Sequence, residues 1–213
     1  MFPVILRLAP GSLQNVIFLL TAILAGGLLY LLFRKNRQGK SKKQPIEGLD
    51  NERSVRIMKK ILSAYIKRSD GRVIYSAEVA GKKTSGSADA ILVGYFGILV
   101  LVGCDLRGEL YANDKDEYLT QIYKKERARY ESPVIRVLNA QKAVNELLRQ
   151  KKVYRVSVES AVVFTGKKAV PNVPGSLNSY NPKTLKKALR SGRFLDDKGV
   201  DTDAAAEALL GWR

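Results

Sequence analysis

Hydrophobic and polar positions follow different rhythms in different parts of this chain. Residues 9–33 carry no charge, and residues 16–33 are almost wholly apolar. Extended by Leu13, Gln14 and Asn15, this run would make about 30 Å of helix, the thickness of a bilayer core. It predicts one transmembrane helix at residues 13–33, with Ala25-Gly26-Gly27 at its centre suited to close packing. A cleaved signal peptide fits less well, because the run is long and no small-x-small site follows it.

From residue 50 the spacing becomes helical. Val55, Met58, Leu62 and Tyr65, widened by Ile61, form a stripe opposite Lys59, Lys60 and Lys67, which predicts a helix over residues 50–68. Residues 72–80 are rich in β-branched side chains and predict a strand, and residues 81–87 (GKKTSGS) a flexible basic loop. The stretch at residues 87–111 organises the rest. Residues 88–93 are apolar with one acid, Asp89, near the start, and Tyr95-Phe96-Gly97 supplies a turn. Residues 98–102 form the continuous apolar run of a strand buried on both faces, and Gly108 breaks the chain before residues 109–111. Alternation at Tyr118, Thr120 and Ile122, followed by residues 127–131, predicts a hairpin. Ser132-Pro133 then opens a helix with the stripe Val134, Val137, Leu138, Val144, Leu147 and Leu148. Residues 156–164 predict a strand, residues 171–179 a loop, Asn181-Pro182 a short basic helix, and residues 201–210 a last helix. The sum is a mixed α/β domain large enough for one core.

Charge adds a partner class. There are 37 Lys and Arg against 20 Asp and Glu. Seven of the bases and none of the acids precede residue 44, which leaves 30 against 20 for the remainder. A domain this basic points to an anionic partner, nucleic acid or a phospholipid surface. Arg34, Lys35, Arg37, Lys40, Lys42 and Lys43 crowd one flank of the apolar run, while only Arg7 and the amino terminus sit on the other. By the positive-inside tendency, residues 1–12 are expected outside, residues 34–47 form a basic juxtamembrane linker, and residues 48–213 form a cytoplasmic domain on a single-pass anchor. The chain has no His, which excludes imidazole chemistry, and its single Cys, Cys104, excludes an internal disulfide and a Cys-rich zinc site.

Residues 48–165 resemble the nuclease-related domain, NERD, of the restriction-endonuclease-like PD-(D/E)-x-K superfamily. Gly48, Asn51 and Glu52, with Val55 on the next turn, match its opening motif. Ser87-Ala88-Asp89-Ala90, Ile91-Leu92-Val93, Gly97, the apolar run ending Val102-Gly103-Cys104, and Arg107-Gly108 with Tyr111 match its central block. Ser132-Pro133 and Phe164 match later positions, and the spacing holds without gaps over residues 89–111.

The resemblance implies a restriction-endonuclease-like mixed sheet flanked by helices. It also implies a catalytic set in which an Asp, a Glu on the next strand and a Lys two residues later hold and assist a divalent ion during phosphodiester hydrolysis. Here Asp89 and Glu52 stand as remnants, and Val102 and Cys104 occupy the Glu and Lys positions; Ser87 and Ala90 stand where the family has Gln and His. Asp89 alone is left as a metal ligand of an incomplete site, and hard ions want several oxygens. The expectation is a membrane-anchored, catalytically degenerate domain that binds DNA or RNA without cleaving it. Lys82, Lys83, Arg107, Lys124, Lys125, Arg127 and Arg129 are the candidates for phosphate contacts, with Tyr123 and Tyr130 for stacking. The alternatives are an active nuclease using a migrated carboxylate, Asp105 or Glu109, or a protein-interaction module at the membrane. No haem, zinc or nucleotide cofactor is expected, and Mg²⁺ only in the active alternative.

Overall fold

The computed structural model describes residues 46–47 and 51–210. The expected span at residues 13–33 and Gly48 lie outside the described residues. Among the described residues, no helix is long and apolar enough to cross a membrane.

The element order is β1 (Ile46–Glu47), α1 (Glu52–Ile66), β2 (Arg72–Ala80), β3 (Ser85–Gly94), β4 (Gly97–Cys104), β5 (Gly108–Tyr111), β6 (Tyr118–Tyr123), β7 (Glu126–Glu131), α2 (Pro133–Gln150), β8 (Val158–Phe164), β9 (Ala169–Asn172), β10 (Asn178–Tyr180), α3 (Pro182–Ala188), a 3-10 turn (Gly192–Phe194) and α4 (Thr202–Leu210). It is an α/β fold with two mixed sheets flanked by helices. The sheet that carries the core is ordered β10-β8-β4-β3-β2. β2, β3 and β4 are consecutive antiparallel neighbours, and β8 pairs with β4, and β10 with β8, in parallel.

β4 occupies the middle of this sheet, and every one of its residues is buried. Both faces are covered, which is why its sequence shows no alternation. Side chains nevertheless alternate in space. Val100, Val102 and Cys104 join the layer beneath α2, with Ile91, Val137 and Val144. Leu99 and Leu101 join the layer beneath α1 and α3, with Met58, Leu62 and Leu185. The second sheet, β1-β7-β6-β5-β9, grows from the chain that leaves β4, and its Leu110 and Leu119 are buried in the α2 layer.

Several boundaries differ from the sequence reading, each for a local reason. α1 is shorter than residues 50–68, and Ser54 is buried on its first turn while Val55 is half-exposed. Ser54 fits there because its hydroxyl bonds Thr165 at 2.6 Å and it lies against Gly103. The expected loop at 81–87 is mostly strand, since β3 begins at Ser85. Gly86 permits this, because a Cβ there would meet the backbone nitrogen of Ala140 on α2 at 2.4 Å. Gly97 opens β4 instead of closing a turn; its φ of +123° and the Ser157 carbonyl 2.3 Å from a would-be Cβ require glycine. The expected linker at 34–47 ends in a strand, with Ile46 and Glu47 paired to β7. The expected loop at residues 171–179 contains the end of β9 and the start of β10, two edge strands paired on one side only. Pro171 is tolerated at such an edge, where a missing N–H breaks no ladder.

Candidate functional site

The β3–β4 ladder ends with the pair Ala90↔Leu101. One step further, the register sets Asp89 beside Val102, and the parity of both strands turns Asp89, Val102 and Cys104 toward α2. An acid on one strand thus shares a face with Val102 and Cys104 on the next. The chemistry at those positions is apolar. Val102 and Cys104 are fully buried. Burial pushes the Cys104 thiol up to about 12, with Asp105 adding to the shift and a backbone contact at Leu106 opposing it.

Asp89 is only 4% exposed, and both of its oxygens are engaged. Oδ2 accepts from the backbone nitrogen of Gly103 at 2.7 Å, and Oδ1 accepts from Nη2 of Arg136 on α2. The other guanidinium nitrogens are used as well. Nε donates to Ser87 Oγ at 3.0 Å. Asn51, at the N-cap of α1, accepts from Nη1 at 2.6 Å and donates to the Gly103 carbonyl at 3.1 Å, in the amide orientation that pairs both of its atoms. A single cation thus ties β3, the end of β4, α1 and α2 together. That cation is a guanidinium on the chain itself. Sequence reasoning missed Arg136. The available signal was a base in the first turns of a Ser-capped helix, where the helix dipole disfavours positive charge unless an acid compensates it.

A second set of polar groups lies one residue beyond β4. Arg53 Nη1 pairs with Asp105 Oδ2 at 3.2 Å, and Thr165 Oγ1 donates to Asp105 Oδ1 at 3.2 Å. Glu109 is on β5 in the other sheet, where it accepts from the Tyr111 hydroxyl at 2.6 Å. Glu52 opens α1 and is exposed, one residue after Asn51. Among the described residues, no group of three or more Cys, Asp or Glu is placed to hold a metal ion. The donor set around Asp89 does not fit a divalent ion either: one carboxylate already bonded on both oxygens, an apolar Val102 and a protonated thiol offer no shell of oxygens.

The candidate phosphate-binding residues fall into two groups. Arg107 follows β4, and its carbonyl accepts from Gln121 Nε2 at 2.7 Å, next to the β6–β7 turn that carries Lys124 and Lys125. Arg127 and Arg129 continue along β7; Arg127 is exposed and Arg129 half-buried. Lys167 and Lys168 join this end of the small sheet, since Gly108 donates its N–H to the Lys168 carbonyl at 3.3 Å. Neither was anticipated; the signal is a Gly-Lys-Lys turn after the strand parallel to β4. Lys82 and Lys83 instead sit on the β2–β3 hairpin, held to the far end of α2 by Glu146. Tyr123 is exposed, and Tyr130, opposite the fully buried Leu119 in the ladder, is half-buried and packs in part against the α2 layer.

No curated protein and no solved structure matches this chain. A family model described as the nuclease-related domain matches residues 37–165, more than half of the sequence and the whole of the frame around Asp89, and the chain belongs to that family.

Proposed function

We propose that this protein is a membrane-anchored nuclease-related domain that has exchanged metal-dependent hydrolysis for nucleic-acid binding. The observation that carries the reading is the Arg136 guanidinium on Asp89, where a nuclease of this frame would need a divalent cation. An ion entering there would have to displace a largely buried, charge-assisted pair, Arg136 keeping some exposure, and would find Val102 in place of its second carboxylate. The migrated-carboxylate alternative lacks support, because Asp105 is committed to Arg53 and Glu109 lies in the other sheet. Polynucleotide phosphates would meet Arg107, Lys124, Lys125, Lys167 and Lys168, on the turns that continue from the ends of β4, β6 and β8. Such contacts read backbone, not bases. The anchor at residues 13–33 holds the domain at the cytoplasmic face.

The test is binding and cleavage of single-stranded and duplex DNA and RNA by the full chain, across a salt series with Mg²⁺ present. The expected outcome is salt-sensitive binding without cleavage, and a log–log salt slope reduced by about one for each cation removed in Lys124→Ala and Lys125→Ala. Mg²⁺-dependent cleavage lost in Asp89→Asn would overturn the degenerate site. Absence of binding to every polynucleotide would leave the protein-interaction reading in its place.

A further inference from the structure

On the face of the core sheet opposite Arg136, a groove of about 630 Å³ opens between α1 and the chain that follows α3. Its rim carries Lys60, Arg68, Lys186 and Arg190, and among the described residues no carboxylate lines it. Its floor is aliphatic, with Ile61, Leu189 and Leu195; Leu195 is 57% exposed despite its apolar side chain. Four cations around an aliphatic trough complement a ligand that is anionic at one end and hydrocarbon at the other. A polynucleotide would use the cations but gain nothing from the floor. Stacking needs an open aromatic face, and Tyr65 is 8% exposed with its hydroxyl committed to the Phe194 carbonyl at 2.6 Å.

We propose that the α1/α3 groove is a docking site for anionic phospholipid, with phosphate against Lys60, Arg68, Lys186 and Arg190 and acyl methylenes over Leu195. Peripheral binding of this kind combines buried apolar area with attraction to anionic headgroups. The site is separate from the Asp89 frame and does not depend on nucleic-acid binding. It rests on the proposed anchor only for the source of the lipid, since residues 34–51 alone separate that span from α1.

The experiment uses the full chain with vesicles of phosphatidylcholine alone or with one quarter phosphatidylglycerol. A nitroxide is placed at Leu195→Cys; the native Cys104 is buried and does not compete. On anionic vesicles the label is expected to gain oxygen accessibility and lose accessibility to a water-soluble nickel chelate, and on neutral vesicles to stay in water. Lys186→Glu and Arg190→Glu alter exposed side chains, and each should lower the docked-to-undocked ratio by about fivefold or more. A chain that floats with both vesicle types while its label stays in water keeps the anchor and overturns the docking site. A chain that floats only with anionic vesicles, with its label protected, supports the docking site and discards the anchor. Protection of the label by a single-stranded oligonucleotide, and not by lipid, overturns the proposal in favour of nucleic acid.

Discussion

Asp89 and Arg136 are joined across 47 positions of sequence, and each has little else to do with its charge. Removing one partner of a buried pair strands the other, which is where the cost arises. Because the Arg136 side chain keeps a fifth of its exposure, Arg136→Ala is expected near the lower end of the usual range, about 3 kcal/mol in urea unfolding. The double change with Asp89→Ala should cost less than the two single changes together. A loss under about 1 kcal/mol for Arg136→Ala would mean that the pair behaves like a solvent-screened surface bridge. Cys104 offers a second residue-scale test. Its folded value is raised from 9.0 to about 12, so its contribution to stability is complete below pH 9.0 and fades as pH rises toward 12. The urea midpoint should therefore fall more steeply over that window in the native chain than in Cys104→Ala. Asp89, Val102 and Cys104 were legible in the sequence because strand alternation fixes which of them share a face. Arg136 was not, because nothing in a helix's own spacing names an acid on a distant strand.

At the scale of elements, Glu146 holds the β2–β3 hairpin to α2. Its carboxylate accepts from the backbone of Lys83 at 2.9 Å and Thr84 at 3.0 Å, and from the Thr84 hydroxyl at 2.6 Å. The Thr84 hydroxyl is the largest cause of a carboxyl held below its ordinary 4.5; desolvation comes next and opposes it, and the two amides and Gln150 lower it further. A lowered folded value means that the clamp is present above pH 4.5 and is lost as pH falls through the lower value. Amide exchange at Lys83 and Thr84, corrected for intrinsic rates, should quicken in that acid range, and Glu146→Gln should flatten the dependence. Equal protection at neutral and acid pH in the native chain would show that the hairpin holds itself. The long elements were legible here: α1 and α2 by their helical stripes, β2 by its β-branched residues and β4 by its unbroken apolar run. β9 and β10 were not, because short edge strands around Pro171 carry the composition of a loop and are made strands only by the neighbours they meet. The 81–87 stretch reads as a loop for a related reason, since its Gly86 serves contact with α2 and not freedom of the backbone.

Across the whole molecule, the two layers of the core sheet divide the proposed roles. The α2 layer carries the Asp89–Arg136 pair and leads to the cations of the small sheet; the α1/α3 layer carries the basic, aliphatic groove. The family frame could be recognised from residues 48–165 because it is largely consecutive in sequence, strand after strand. The groove could not, because it forms from helices separated by more than a hundred residues and from no motif. In the function proposed above, the Arg136 guanidinium stands on Asp89 where a metal ion would otherwise be held.

The most direct measurement is Mn²⁺ binding followed by electron paramagnetic resonance on the full chain, on Asp89→Asn, and on the triple variant Val102→Glu, Cys104→Lys, Arg136→Ala. The predicted result is no saturable binding that depends on Asp89 in the native chain, and a new Mn²⁺ site in the triple variant, where a second carboxylate joins Asp89 and the guanidinium is gone. Saturable binding by the native chain that disappears in Asp89→Asn would contradict it.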